Sequence, residues 1–208
     1  MQLNAIVLPA GFLRGAFDPD ATDAFNYGWL GSNLAHDMTH VVDTLGAEND
    51  VLGRPVTWWT AADQEGFAAR ARCVADQASA FEVRPGLHLD GQRVLREAVG
   101  DLEGVRIAHA ALLRSMAARP VPAVDGFSPE QQFFIAAAQS RAETLSEEAE
   151  RRQVATDSHP VSRFRAIAPL SNLPGFQAAF SCEDRSPMVR PPAQRCAIWV
   201  GDTHPSPL

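Results

Sequence analysis

Two stretches of helical periodicity constrain the fold more than any other feature of this sequence. From Ala24 to about Leu45, apolar residues recur at spacings near three and four, and this pattern predicts a helix that ends near Gly46. The segment LREAVGDLEGVRIAHAALLRSMAA continues the same periodicity for about six turns and predicts a second long helix. Together the two stretches favour a mostly helical protein.

Weaker signals describe the rest of the chain. Thr60 is placed to start a helix through FAARARCVADQASAF, and Ser128 to start one that continues as far as EEAERR. RPGLHLDGQRV is typical of a short hairpin or loop, and residues 1–25 of an extended entry segment with turns. After Thr156 the pattern is irregular apart from a short helical FQAAFSC. With no internal repeat, residues 1–208 are expected to form a single domain of the mainly α (α+β) class.

Composition excludes several classes of protein. Hydrophobic residues make up 46% and charged residues 21% of the chain, as in ordinary globular proteins. The net charge of -7 argues against a nucleic-acid partner. No apolar run reaches the roughly 20 residues that a membrane span requires, and the first residues lack a signal-peptide pattern. We therefore expect a cytoplasmic protein with no membrane partner.

Three cysteines are too few for a disulfide scaffold. Cys73, Cys182 and Cys196 also lack the CxxC spacing of a metal site. Their number alone favours buried thiols, and the expected cytoplasmic location favours thiols as well.

The segment HDMTH places two histidines, His36 and His40, four residues apart within the first predicted helix. Residues at this spacing lie on one helix face, so both imidazoles can bind one metal ion. Zinc in a catalytic site takes three protein ligands and leaves one position open for water. Because such a pair also occurs by chance in helices, the spacing alone leaves a metal site and a coincidence both open.

Glu97 is the best candidate for a third ligand. It begins a predicted helix, and Asp101 follows four residues later on the same face, where it could accept a hydrogen bond from a ligand histidine. A solvated acidic helix start, favoured by the helix dipole, would produce the same pattern. Further along, HPVSRFR supplies His159 and Arg165, which are either surface residues or groups that stabilise an oxyanion.

Short segments in a fixed order along the whole chain carry a family resemblance. They read NAIVLPAGFL, FDPD, NYGWLGSNLAHDMTHVVD, WWT, LREAVGDLEG, FSPEQQFFIAAAQ, DSHPVSRFR, LSNLPGFQAAFSC and PMVRPPAQRCAIW. In this order they resemble the C-terminal catalytic part of the neprilysin family, zinc metallopeptidases with a gluzincin HExxH and a downstream ExxxD. The resemblance implies a gluzincin-like zinc metallopeptidase catalytic domain, with zinc as cofactor and a peptide or peptide-like small molecule as substrate.

The resemblance also assigns a role to each candidate metal-site residue. It implies that His36, His40 and Glu97 are the zinc ligands. It implies that Asp101 orients a ligand histidine. On this basis the HDMTH helix and the ExxxD helix form one metal site.

Four further residues acquire roles in the same way. The resemblance implies that His159 and Arg165 contact the reacting carbonyl or its neighbour. Cys73 and Cys196 match positions that pair as a disulfide in secreted members of the family, so a bond between them is an alternative to two thiols. The family partner of Cys182 lies in a region that this chain lacks.

Three substitutions depart from the family pattern. Asp37 stands where the family has the glutamate that takes a proton from water, and aspartate is shorter by one methylene. A misplacement of about 1 Å can lower a rate on the order of a hundredfold. Ala98 replaces an asparagine, and Arg141 replaces a tryptophan that lines a substrate pocket, so a preference for large apolar side chains is not expected here.

Two regions of the family have no counterpart in this sequence. One is a strand that holds the substrate backbone, and the other is a large N-terminal helical lid domain. Without the lid, apolar surface and the cleft would be uncovered. We therefore expect either a homo-oligomer or a separately encoded partner chain to cover the open cleft.

Three functions remain open at this stage. The first is a zinc-dependent peptidase or amide hydrolase with Asp37 as a modified general base. The second is a repurposed zinc enzyme that catalyses a non-proteolytic step in specialised metabolism. The third is an inactive pseudo-peptidase that binds a partner.

Overall fold

The computed structural model describes residues 5–199 and shows a mostly helical protein. In the described part of the chain the α-helices are α1 (Ala10–Ala16), α2 (Asp23–Asn26), α3 (Ser32–Thr39), α4 (Ala61–Ser79), α5 (Leu95–Ala118), α6 (Pro129–Gln139), α7 (Glu147–Thr156), α8 (Ser162–Ser171) and α9 (Pro174–Ala179). One antiparallel pair of strands, β1 (Glu82–Arg84) and β2 (Leu87–His88), joins α4 to α5. The expected mainly α class is confirmed.

The first predicted helix consists of several consecutive pieces. Helix α2 continues through a π-helical turn, Tyr27–Gly31, into α3, and a 3-10 turn, His40–Val42, ends it. The chain leaves the helix at Asp43, whose carboxylate accepts hydrogen bonds from the backbone N–H groups of Leu45 and Gly46. The prediction of a helix here is therefore confirmed, with an end about one turn earlier than expected.

Helix α3 packs directly against α5, and glycine makes this close approach feasible. A Cβ atom at Gly104 would lie 2.7 Å from both the Ser32 carbonyl oxygen and the His36 backbone nitrogen. A real Cβ atom does not come this close to another heavy atom, so the two backbones can meet at this distance only where α5 has no side chain. This helix pair holds the candidate metal ligands in place.

Two other predicted elements are confirmed. Thr60 accepts a hydrogen bond from the Asp63 backbone N–H, and the Asp63 carboxylate accepts one from Thr60 N–H, so a capping box starts α4. The predicted hairpin turns at Gly86, whose φ of +74° favours glycine.

The C-terminal half of the prediction needs correction. The helix predicted from Ser128 through EEAERR is two helices, α6 and α7, because the Ser146 side chain accepts the Ala149 N–H and starts a new helix. Helix α8 was not predicted, since its sequence contains Pro169 and follows Pro160. The α-helical α1 likewise replaces part of the extended segment expected near the start.

The hydrophobic core lies between α5 and the helices around it. Its largest fully buried apolar side chains are Phe133, Phe134, Phe164, Leu102, Leu112 and Ile198. A disulfide between Cys73 on α4 and Cys196 fixes the C-terminal segment to the helical body. Among residues 5–199, no helix combines the length and the hydropathy needed to cross a membrane.

Large apolar side chains are also exposed near the HDMTH segment. They are Met38, Val41, Leu45, Val51, Leu52 and Trp58. Exposed apolar patches of this kind mark surfaces that contact other protein. The expected oligomer or partner chain stays a prediction.

Candidate metal centre

Three side chains from α3 and α5 converge at one point between the helices. The Nε2 atom of His36 lies 3.1 Å from Glu97 Oε2, and the Nε2 atom of His40 lies 3.7 Å from Glu97 Oε1. The side chains of His36 and Glu97 are only 7% and 6% exposed, so this part of the cluster is buried between the two helices. The structure thus brings together the three residues that the sequence singled out as ligands.

The two distances to Glu97 are close to those between neighbouring ligands of a tetrahedral metal site. Zinc binds imidazole nitrogen and carboxylate oxygen at about 2.0–2.1 Å, so neighbouring ligand atoms of a tetrahedral site lie about 3.3 Å apart. The observed separations of 3.1 and 3.7 Å lie on either side of that value. Two histidines and one carboxylate are also a ligand set that zinc uses in catalytic sites.

Behind His36, Asp101 is the centre of a buried ionic cluster. Its Oδ1 atom lies 3.0 Å from His36 Nδ1, and its carboxylate is 2% exposed. Arg165 donates two hydrogen bonds to Asp101, at 2.7 and 2.8 Å, and Arg141 donates one at 2.9 Å. Burial raises the pKa of Asp101, but the close approach of His36, the hydrogen bonds from Arg165 and the two guanidinium charges outweigh it and hold the pKa far below its ordinary value.

Behind His40, Asp43 plays the corresponding part. Its Oδ2 atom lies 2.8 Å from His40 Nδ1 and 2.5 Å from Arg96 Nε. Burial raises the pKa of Asp43, yet the hydrogen bonds from His40 and Gly46 and the charge of Arg96 keep it below the ordinary value. A carboxylate on the second nitrogen of a metal-binding histidine fixes the orientation of the ring.

Sequence reasoning missed Asp43 and Arg96. The available signal for Asp43 was its position three residues after His40, one helical turn away on the same face. Arg96 is adjacent to Glu97 in sequence, and its Nη1 atom lies 3.5 Å from Glu97 Oε1. No spacing rule connects Arg96 to Asp43, because they lie on different elements.

The carboxylate of Glu97 contacts three imidazoles, those of His36, His40 and His159, and the guanidinium of Arg96. Burial raises the pKa of Glu97. The hydrogen bond from His36 and the charges of His159, His36 and His40 lower it by more, so the net shift of the pKa is downward. For His36, burial lowers the pKa, and the Asp101 and Glu97 carboxylates more than compensate and raise it. A metal ion would compete with this proton, because ligands bind metal in their deprotonated form.

Gly100 gives the His36 ring its space. A Cβ atom at this position would lie 2.8 Å from His36 Cε1 and 2.9 Å from Nδ1. Since a real Cβ never comes this close, any other residue at position 100 would displace the imidazole. The glycine lies between Glu97 and Asp101, on the face of α5 that carries both.

Asp37 is exposed at the edge of the cluster. One of its carboxylate oxygens lies within 4.8 Å of a ring nitrogen of both His36 and His40. The carboxylate therefore stands beside the metal site and faces solvent, where it can reach a water molecule or a substrate atom.

His159 completes the site from the loop between α7 and α8. Its Nε2 atom lies 3.2 Å from Glu97 Oε2, and the side chain is 46% exposed. Asp157 holds the ring, because its Oδ1 atom lies 3.0 Å from His159 Nδ1 and accepts the His159 backbone N–H at 2.8 Å. Asp157 was also missed, although it lies only two residues before His159.

A helix pair that supplies two histidines, each in contact with a further acid, and a glutamate as third candidate ligand is the arrangement of the zinc metallopeptidase folds called gluzincins. Peptidase family M13 matches residues 1–196, and the chain belongs to this family. The suspected relation to neprilysin is thereby confirmed, and zinc is the cofactor that the family and the ligand set indicate.

Individual relatives support the assignment. The chain is 36% identical over 201 residues to an endothelin-converting enzyme homolog of Locusta migratoria, covering 94% of this chain and 27% of that protein. It is 32% identical over 202 residues to neprilysin-2 of Drosophila melanogaster, covering 94% of this chain and 26% of that protein. The chain thus spans about a quarter of the length of these relatives.

Solved structures give the same result. The zinc metalloprotease Zmp1 of Mycobacterium tuberculosis, in complex with an inhibitor, superposes with a TM-score of 0.84 at 32% identity over 89% of this chain and 29% of that chain. PepO from Lactobacillus rhamnosis superposes with a TM-score of 0.81 at 28% identity over 92% of this chain and 29% of that chain. These likenesses confirm the expected catalytic-domain fold.

Proposed function

We propose that this chain forms the zinc-binding part of a hydrolase that cleaves a peptide or amide bond, with Asp37 as a shortened general base. The observation that carries the proposal is the convergence of His36 and His40 on Glu97, with nitrogen–oxygen distances of 3.1 and 3.7 Å. A decayed site would have no reason to keep both supporting carboxylates, Asp101 and Asp43, in contact with the histidines.

Each residue around the metal has a distinct part in this proposal. His36, His40 and Glu97 hold zinc, which when bound acts as a Lewis acid on a carbonyl and lowers the pKa of water. Asp37 accepts a proton from the attacking water and delivers it to the leaving amine. His159 is half exposed and held by Asp157, and its Nε2 atom, which lies 3.2 Å from Glu97 Oε2, would donate a hydrogen bond to the oxygen that becomes negatively charged.

Arg165 has a more restricted part than the sequence predicted. Two of its N–H groups are committed to Asp101, at 2.7 and 2.8 Å. We therefore propose that Arg165 mainly holds Asp101 against His36, with its remaining N–H groups available to a substrate carbonyl.

The test of the proposal is a comparison of variants at position 37. Zinc content and cleavage of a broad peptide library are measured for the wild type, for Asp37→Glu and for Asp37→Asn, with His36→Ala as the zinc-free control. Because the longer side chain restores reach, Asp37→Glu should increase hydrolysis by up to about a hundredfold, while Asp37→Asn should abolish it. A zinc-loaded protein that cleaves no peptide, either as wild type or as Asp37→Glu, would rule out hydrolysis.

The shortened side chain of Asp37 also favours a second function, a zinc enzyme that activates a carbonyl without cleaving peptides. In that case Asp37→Glu should gain peptide hydrolysis and lose the native reaction. A pseudo-peptidase that only binds a partner would instead fold fully without metal. Metal analysis of the purified protein separates this last function from the other two.

The disulfide bears on where the protein works. Bonds such as Cys73–Cys196 persist in oxidising compartments and are rare in the cytosol. We propose an oxidising compartment in place of the cytoplasm that the sequence led us to expect. Mass spectrometry of the protein from its native cells, with thiols blocked at lysis, tests this, and two free thiols would contradict it.

A further inference from the structure

Arg141 is a nearly buried cation with most of its hydrogen-bonding capacity unused. It follows α6, and its side chain is 13% exposed. A guanidinium has five N–H donors, and Arg141 uses one of them, for the hydrogen bond to Asp101 Oδ1 at 2.9 Å. The side chain makes no other hydrogen bond to the described residues, 5–199.

Asp101, the hydrogen-bond partner of Arg141 among residues 5–199, is already paired with Arg165. Arg165 binds Asp101 through two N–H groups, so Arg141 is the second guanidinium on a single carboxylate. Glu97 forms no hydrogen bond or ion pair with Arg141 among the described residues, because its oxygens contact His36, His40, His159 and Arg96. Within the described part of the chain, two guanidinium groups therefore share the single carboxylate of Asp101.

The contact with Asp101 places the charge of Arg141 next to the metal-binding cluster, because Asp101 Oδ1 also lies 3.0 Å from His36 Nδ1. Burial lowers the pKa of Arg141 and the charge of Arg165 adds to this, whereas Asp101, Asp37 and Glu97 raise it. The guanidinium remains protonated, since arginine does not lose its proton in proteins. Its charge thus interacts with both the exposed Asp37 and the candidate ligand Glu97.

A buried guanidinium with free donors favours an anionic ligand. The unused N–H groups of Arg141 are not among the fully buried, unsatisfied atoms of the described residues, so a ligand can reach them, and a planar carboxylate matches two parallel N–H groups of arginine. Water could fill the same space, but it would not balance the charge. Asp37 is close enough for its charge to act on Arg141, yet among residues 5–199 the two side chains form no hydrogen bond or ion pair with each other.

We infer that Arg141 is a specificity-determining residue that binds a carboxylate of the substrate, close to the bond that is hydrolysed. This inference rests on the proposed function and narrows its substrate class to acidic peptides or amides. The carboxylate comes either from an aspartate or glutamate side chain or from the free C-terminus of a short peptide.

The test uses binding of peptide hydroxamates, which chelate zinc, to the zinc-loaded protein. One pair of probes differs only by an aspartate or an asparagine side chain next to the hydroxamate. A second pair differs only by a free or an amidated C-terminus. Calorimetry should show that one carboxylate probe binds about tenfold to a hundredfold more tightly than its amide twin, as expected for a charge-assisted hydrogen bond. The pair that shows the difference identifies the source of the carboxylate.

Variants at position 141 assign the effect to this residue. Arg141→Leu should remove the difference between the twin probes, Arg141→Lys should keep part of it, and Arg141→Glu should reverse it. Since Asp101 keeps both hydrogen bonds from Arg165, the leucine variant should fold and bind zinc, which melting curves and metal analysis check.

The outcomes separate this inference from the proposed function. A protein that binds neither zinc nor any hydroxamate refutes both. A protein that binds hydroxamates but prefers no carboxylate in either pair refutes the inference alone. If Arg141→Leu weakens all four probes equally, Arg141 supports Asp101 and Asp37 and does not select substrate, which also overturns the inference.

Discussion

The metal-binding half of the site and its reacting half are built in different ways. His36, Glu97 and Asp101 are buried between two packed helices, and each contacts a partner from another element. Asp37 and His159 are exposed, and His159 is held by Asp157 two residues away. Packing therefore fixes the metal-binding half, whereas the reacting half can change residue by residue without loss of the metal site.

Among residues that do not themselves bind zinc in the proposed site, the buried supporting acid Asp101 should have the largest effect on zinc affinity. Asp101→Ala leaves Arg141, Arg165 and His36 facing an empty position. Removal of one partner from a buried ion pair costs about 3–5 kcal/mol of unfolding free energy, and loss of a carboxylate behind a ligand lowers metal affinity about tenfold to a hundredfold. Chemical denaturation and competitive zinc titration measure the two quantities.

Asp43→Ala is the matched comparison for the other histidine. Its partner Arg96 is 34% exposed and can be hydrated again, so the loss of stability should be smaller, about 1–3 kcal/mol. Zinc affinity should still fall, because His40 loses its acceptor. If the two alanine variants lost equal stability, burial would not be what distinguishes the two supports.

A smaller effect is expected from the space around the His36 ring. Gly100→Ala would bring a Cβ to 2.8 Å from the imidazole and displace it, so zinc affinity should fall by about tenfold, the lower end for a disturbed supporting contact. Gly66→Ala is the matched control within α4, since its nearest neighbour, Arg70 Nη1, is 3.6 Å away. That variant should keep its zinc affinity and gain about 0.5–1 kcal/mol of stability. Equal zinc affinity in both variants would show that the ring is free to move.

The smallest effect on zinc affinity should come from the reacting half. His159→Ala removes an exposed side chain that the proposed site does not use as a ligand, so zinc titration should match the wild type. Peptide hydrolysis should nevertheless fall by about 10²–10³-fold, as for loss of one oxyanion donor. A large drop in zinc affinity would make His159 part of the metal-binding half and would remove the distinction between the halves.

The sequence was most informative where a short spacing corresponds directly to geometry. His36 and His40, and likewise Glu97 and Asp101, are four apart on helices, so their shared faces were predictable. Asp43 and Asp157 were missed although they lie close to the histidines they support. Acidic residues are common in polar turns whether or not a histidine is near, and only the folded chain shows which histidine each acid contacts.

Contacts between separate elements were beyond the reach of spacing rules. The pairing of Arg141 with Asp101 joins residues 40 positions apart. The division of the predicted fourth helix into α6 and α7 depends on Ser146 as a helix start within a continuous polar run. Helix α8 forms despite Pro169 because several of its side chains, including Phe164 and Leu170, are buried in the core.

The Cys73–Cys196 bond gives the site an unusual covalent topology. The bond closes a ring of chain between residues 123 positions apart, and Glu97 lies within that ring, whereas His36 and His40 precede it. A single backbone cut inside the ring would leave one covalent molecule with all three ligands still connected. A cut between His40 and Cys73 would instead separate the two histidines from the ring, leaving only non-covalent packing between α3 and α5 to keep the metal site assembled.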